Sequence, residues 1–169
     1  MLILREVLQF SAAEVAEQLG TTPASVNSAL QRARATLGSR TVQQEELARL
    51  GGDGVRALVE EFSAAWQSRD VHRIAVLLAD DARFTMPPLP AWFDGKPMVL
   101  RFFAERVFAT PWRLEPLSIN AQPGFVCWQE VDGAFRPGAV NVLSLRDGLV
   151  SAISGFVDPR VVNKFTADR

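Results

Sequence analysis

Between residues 11 and 37 the apolar positions recur at helical spacing in two short runs. The first run is Val15, Ala16 and Leu19, and it follows Ser11 and Glu14, the pair that forms a capping box at a helix N-terminus. Gly20 supplies the left-handed backbone that a sharp stop requires. Thr22 is placed to cap the next helix, with Pro23 at its first position, where no backbone donor is needed. Val26, Leu30, Ala33 and Leu37 then form one stripe. The outward face carries Ala24, Asn27, Ser28, Gln31 and Arg32, with Arg34 beside it. The spacing predicts a helix-turn-helix whose second helix reads nucleic acid through Thr22, Ala24, Asn27, Ser28, Gln31, Arg32 and Arg34. An ordinary helical hairpin shares the glycine corner but does not require this polar face. Ahead of it, residues 2–9 read as a short helix whose Leu4, Val7 and Leu8 pack on the hairpin.

After Gly38 the pattern weakens. Residues 39–54 hold a short amphipathic piece, EELARL, and then three glycines in GGDG, which predicts a linker. From Val55 the periodicity is helical again, through Val55, Leu58, Val59, Phe62 and Trp66. Further helices are expected at residues 71–78 and 96–108, with a strand between them at 82–86, broken by PPLP. Extended segments follow at 113–122, 125–131, 140–145 and 149–157. Turns are expected at Pro123-Gly124, Asp132-Gly133 and Asp147-Gly148. Three helices and then a run of antiparallel strands predict an α+β domain over residues 55–165, with helices on one curved sheet and a tail at 166–169.

Composition narrows the picture. The chain has 169 residues, 48% of them hydrophobic, and a net charge of −1, which suits packed domains better than a free-standing DNA binder. No acid occurs between Gln18 and Gln44, where Arg32, Arg34 and Arg40 lie. Three cations neutralise few phosphates, so DNA affinity from this module alone is expected to be weak and salt-sensitive. The single cysteine, Cys127, excludes an internal disulfide and reads as a buried residue on a strand. No apolar run is long enough to span a bilayer and the N-terminus does not look like a signal peptide, so the expected setting is soluble and cytoplasmic, without a membrane.

The run LILREVLQFSAAEVAEQLGTTPASVNSALQRARATL resembles region 4 of sigma-70 family initiation factors, specifically the extracytoplasmic-function group. The LREVL helix, the S-A-A-E-V-A-x-x-L-G scaffold and the V-N-S-x-L-x-R-A-R helix carry the likeness. The resemblance implies binding to the upstream (−35) promoter element and to the β flap of the RNA polymerase core. Region 2, which melts promoters in that family, is expected ahead of this segment and is not present, consistent with a fragment or a natural truncation. The stretches AWQSRDVHRIAVLLADDARFTMPPLPAWFDGKPMVLRFF and GLVSAISGFVDP resemble the SnoaL-like branch of the nuclear-transport-factor-2-like fold, a cone-shaped barrel with a ligand-sized cavity. The MPPLPxWFxG turn is especially similar to the C-terminal domains of the sigma G set. The acidic, lysine-ended linker of the better-known SnoaL-bearing sigma factors is not matched, and GGDGVR stands in its place. The fold also leaves a sheet face for homodimerisation.

Relatives of this fold include isomerases and cyclases, which pair an acid or base with an oxyanion stabiliser. This chain has no tyrosine for the phenolic donor. His72, Asp80 and Asp81 are the candidate ionisable groups, and each reads more readily as a helix-end or capping residue. The aromatic set is the stronger signal. Trp66, Phe84, Met86, Trp92, Phe93, Phe103, Trp112, Phe125 and Trp128 are expected to line a pocket for a small hydrophobic ligand, with Trp92 and Phe93 as a lid or contact surface. No catalytic group, cofactor or metal is expected. The reading is a sigma-like initiation factor with a non-catalytic regulatory domain. The alternatives are a polyketide-cyclase or isomerase-type enzyme with a helical extension, and a stand-alone ligand-responsive regulator.

Overall fold

A computed structural model describes residues 4–5 and 9–167, with the backbone alone described for residues 34–42. The chain divides into two compact units, residues 1–45 and 46–169.

In the first unit, α1 (Ala12–Gln18) opens with the expected capping box. The Ser11 N–H donates to the Glu14 carboxylate at 2.7 Å, and the Glu14 N–H donates to the Ser11 hydroxyl at 3.2 Å. The helix stops at Gly20 (φ 60°), where the Thr21 and Gly20 N–H groups turn back to the carbonyls of Ala16 and Glu17. The next helix, α2 (Pro23–Gln67), begins under the Thr22 hydroxyl, which accepts from the Ser25 N–H at 3.2 Å. Val15, Ala16 and Val26 form the small core, with Leu4, Phe10 and Ala12 packed on it and Leu30 also buried. Leu19, expected on the apolar face, is half exposed because it is the cap residue where the chain leaves α1. Val7 and Leu8 lie outside the described residues, as does the side chain of Leu37.

The second unit takes up half of the segment expected as a linker. Gly51 breaks the geometry of α2 (φ 68°, ψ 168°), yet Leu47, Leu50 and Val55 all pack on the second unit's core. Glu46 is buried, pairs with Arg49 through two bonds at 2.7 and 2.9 Å, and accepts the Gly148 N–H at 2.6 Å. The division between units therefore falls at residue 46, not near Val55. EELARL carries its own apolar contacts, which outweigh the cost of the glycines that follow.

Beyond it, Val59, Phe62, Ala65 and Trp66 make the buried stripe of α2, and α3 (Val71–Leu77) is capped by Asp70. The elements then run β1 (Leu78–Thr85), β2 (Trp92–Asp94), α4 (Lys96–Glu105), a 3-10 turn at Val107–Ala109, β3 (Trp112–Ile119), β4 (Gln122–Val131), β5 (Ala134–Arg146), β6 (Leu149–Phe156) and α5 (Pro159–Val162). One six-stranded sheet has the order β2-β1-β6-β5-β4-β3. The strands β3 to β6 pair antiparallel as expected, but β1 joins β6 in parallel. The α+β class holds, on a mixed sheet.

Two hairpin turns fall where expected, at Asp132-Gly133 and Asp147-Gly148, each with positive φ at both residues. The third does not. Asn120 and Ala121 make that turn (φ 50° and 61°), and Pro123-Gly124 lies inside β4. Gly124 is needed there for close approach, since a Cβ would sit 2.4 Å from the Asn141 carbonyl oxygen. Trp92 and Phe93 also depart from expectation, forming edge strand β2 with Phe93 opposite Phe84. Pairing to β1 organises what looked like a turn.

Residues 46–169 should therefore be distinctly more stable than residues 55–169. The longer piece keeps the partly buried Leu47 and Leu50 and the charged hydrogen bonds of Glu46, together worth about 3–5 kcal/mol. Urea unfolding of the two pieces checks this, and equal midpoints would return the boundary to Val55. Glu46 also predicts a pH effect. The Arg49 side chain and the Gly148 N–H hold its carboxyl below the usual range. A lowered folded pKa stabilises above the unfolded value of about 4.3 and is lost as pH falls through the folded value. The stability gap between the wild type and Glu46→Gln should thus be full near neutrality and shrink below about pH 4.3.

Candidate functional site

The first unit presents a polar helix face. Val26 and Leu30 turn inward, so Ala24, Asn27, Ser28, Gln31 and Arg32, all exposed, lie on the opposite side of the first turns of α2. Thr22 is exposed at the helix start, where its hydroxyl holds the cap and contacts the Ser25 hydroxyl at 3.0 Å. Arg34 continues the helix, with its side chain outside the described part. Amide, hydroxyl and guanidinium groups on one exposed helix face are the donors and acceptors that base edges and phosphates match. The sequence places these six described residues together correctly because helix period and caps are local.

The second unit contains a cavity of about 80 Å³. Of the nine residues expected to line a pocket, four do: Trp66, Phe84, Met86 and Trp112. The other five are placed elsewhere. Phe103 and Phe125 are fully buried in the core, Phe103 edge-on to Trp66 and Phe125 stacked on Phe62. Phe93 stacks on Phe102 at 4.1 Å between ring centres, and Trp92 is 71% exposed at the sheet edge, not a lid. Trp128 lies opposite a bulge in β5, where Gly138 is the extra residue, and carries the Arg113 guanidinium 5.3 Å from its ring centre. A strand alternates sides at every residue, and bulges shift that count, so aromatic identity could not sort wall from core.

Sequence reasoning missed Phe102, Val107, Cys127 and Ala139, which complete the apolar wall. It also missed Asn141, Gly155 and Val157. Asn141 in the middle of an otherwise apolar run, AVNVL, was the one available signal. Its side chain is 2% exposed, and its Oδ1 has no hydrogen-bond partner among the described residues. The Trp66 indole N–H, equally buried, has none either. Trp112, in the same wall, donates its N–H to the Val107 carbonyl at 2.7 Å. Leaving a buried polar group unpaired costs about 1–3 kcal/mol, and both atoms are covered by protein, so the surface that the cavity presents is almost wholly apolar.

The candidate acid–base residues are not in this cavity. Asp80 is fully exposed and pairs with Lys96 at 2.8 Å. Asp81 is exposed and pairs with Arg146, which holds its carboxyl below the usual range, opposite to the shift a general base at neutral pH needs. His72 is exposed on α3. The one ionisable group in the wall is Cys127, whose thiol burial pushes far above its ordinary value. Among the described residues no cluster of acids, histidines or cysteines is arranged to hold a metal, and no helix is long and apolar enough to cross a membrane.

Cys127 should therefore resist thiol reagents in the native protein at neutral pH and react fully once unfolded. Ellman's reagent with and without urea measures this. Rapid native reaction would mean that the β4 wall opens far more readily than its burial implies.

Comparison with known proteins agrees with the geometry. Residues 1–37 match the family described as sigma-70, region 4, and residues 59–153 match the SnoaL-like domain family. The extracytoplasmic-function RNA polymerase sigma factor SigG of Mycobacterium tuberculosis is 33% identical over 98% of this chain. That alignment takes in 46% of SigG, so the chain spans about half the length of the curated relative it matches. Among solved structures, the extracytoplasmic-function sigma factor SigJ of M. tuberculosis aligns with TM-score 0.51 and 21% identity, over 94% of this chain and 56% of SigJ. An NTF2-like protein of Burkholderia xenovorans aligns with TM-score 0.55 and 12% identity, over 63% of this chain and 84% of its own. A candidate ketosteroid isomerase of Kribbella flavida aligns with TM-score 0.51 and 26% identity, over 62% and 77%. The chain belongs to the SnoaL-like domain family, and it carries that domain behind a segment that matches region 4 of sigma-70 factors.

Proposed function

We propose that this chain is the promoter-reading and regulatory part of an extracytoplasmic-function sigma factor. The observation that carries the reading is the union, in one chain, of a capped helix-turn-helix with a polar outward face and a cavity-bearing α+β unit. The same pairing extends over 98% of the chain in its likeness to SigG. The first unit binds the upstream (−35) promoter element through α2 and docks on the β flap of the polymerase core. The second unit regulates that activity by binding a small ligand, without chemistry of its own.

The isomerase or cyclase alternative draws support from the Kribbella flavida likeness. Against it, Asp80, Asp81 and His72 all face solvent, and the cavity wall offers no carboxylate or imidazole. Size argues the same way, since about 80 Å³ is well below the 300–1,000 Å³ typical of sites for drug-sized molecules.

The test uses polymerase holoenzyme with the complete factor. Arg32→Ala should weaken promoter binding about tenfold if the side chain reads a base. If it contacts phosphate instead, the salt dependence of binding should fall by about one unit of slope. Promoter affinity and salt slope both unchanged in folded Arg32→Ala would remove Arg32 from the interface. Deleting residues 46–169 should alter promoter-dependent transcription, while the triple change of His72, Asp80 and Asp81 to Gln, Asn and Asn should not. A product made only by the wild type would establish the enzyme instead.

A further inference from the structure

We infer that residues 46–50 are a releasable strap on the second unit. Glu46, Leu47 and Leu50 dock it, Gly51 is its joint, and its opening lengthens the connection to the first unit while the rest of the second unit stays folded. The inference concerns the tether between the units and needs neither a ligand nor the regulatory reading above.

The attachment is narrow. Leu47 and Leu50 are only partly buried on the core, and Ala48 and Arg49 between them are exposed. The long-range polar tie is the bond of 2.6 Å from the Gly148 N–H to the Glu46 carboxylate, which Arg49 also holds at 2.7 and 2.9 Å. Gly148 belongs to the Asp147-Gly148 turn, whose two positive φ values are set within the hairpin itself. The surface that receives the strap is therefore formed locally, with or without it.

A joint follows at once. Gly51 adopts φ 68° and ψ 168°, a backbone region that is essentially glycine's alone, and it interrupts the helical geometry of α2. A Cβ at Gly51 or at Gly52 would meet nothing within 4 Å, so both positions have free space around them. Beyond the joint, α2 is anchored separately by the buried Val59, Phe62, Ala65 and Trp66. Fraying of residues 46–50 stops at Gly51, because the regular helix that would pass the disturbance onward already ends there.

With the strap docked, the connection to the first unit begins at residue 46. Once it is released, residues 46–54 join that connection, and the glycine-rich run GGDG becomes flexible chain. Such a segment spans about 14 Å as helix and up to about 30 Å when extended, so release adds reach as well as freedom.

Amide hydrogen exchange of the full chain, followed across low urea concentrations, tests this. The amides of residues 47–50 should exchange through an opening about a hundredfold or more frequent than the one that exposes β4 and β5. Their urea dependence should be much shallower, because little surface is uncovered. Equal frequency and equal slope would mean that the strap opens only when the whole unit unfolds. Exchange at the rate of unstructured chain would mean that it is not docked. Either result overturns the inference.

Glu46→Ala and Leu50→Ala should each speed strap exchange about tenfold or more. Unchanged strap exchange in both would remove the docking contacts and the inference with them. Val140 on β5 is buried outside the core cluster on which Leu47 and Leu50 pack. Val140→Ala should therefore speed exchange in β4 and β5 about tenfold and leave the strap at its wild-type rate. Strap amides that accelerate in step with β5 would join the two openings into one and end the proposal. If a variant fails to fold, the urea series on the wild type still decides.

Discussion

The edge-on contact between Trp66 and Phe103, 4.6 Å between ring centres, ties α2 to α4 at the middle of the second unit. Trp66 also meets Phe62 on its own helix and Trp112 on β3. From Phe103 the rings continue to Phe84 on β1 and Phe108 after α4. Such pairs contribute about 0.5–1.5 kcal/mol beyond their burial, and each restricts where the next ring can lie. The cavity is the space this set of rings leaves unfilled. Its position follows from the core, and its wall is almost wholly apolar.

Electrostatics plays a smaller and more local part. The pairs Arg56–Asp53, Arg73–Glu61 and Arg101–Glu105 are exposed on both sides, and such contacts are typically worth less than about 1 kcal/mol. Glu46 differs because its side chain is 8% exposed and it binds a backbone N–H 102 residues away. That bond attaches the start of the second unit's helix to the β5–β6 hairpin. The Asp147-Gly148 turn thus has two roles, reversing the chain and presenting a donor to Glu46.

A fold of this kind hosts unrelated activities, so function has to be read from the site. Here the candidate acid–base groups Asp80, Asp81 and His72 are exposed and the cavity wall is almost wholly apolar. Proton transfer needs an ionisable group beside the reacting atom, and the wall holds only the Cys127 thiol.

Local rules account for what the residues alone determined. Ser11, Glu14 and Gly20 set the limits of α1, Thr22 and Pro23 set the start of α2, and Asp132-Gly133 and Asp147-Gly148 set two hairpins, each through contacts within a few residues. The exposed face of Asn27, Ser28, Gln31 and Arg32 was legible for the same reason. Tertiary structure decided the rest. The glycines at 51, 52 and 54 looked like a linker, but Glu46, Leu47 and Leu50 find partners far along the chain that no local pattern reveals. Pro123-Gly124 looked like a turn, but close approach to the Asn141 carbonyl made Gly124 a strand residue. Composition showed that aromatics were plentiful enough for a cavity. Which of them face it, and that Asn141 faces it with them, depends on strand register and a bulge, and these exist only once distant strands have paired.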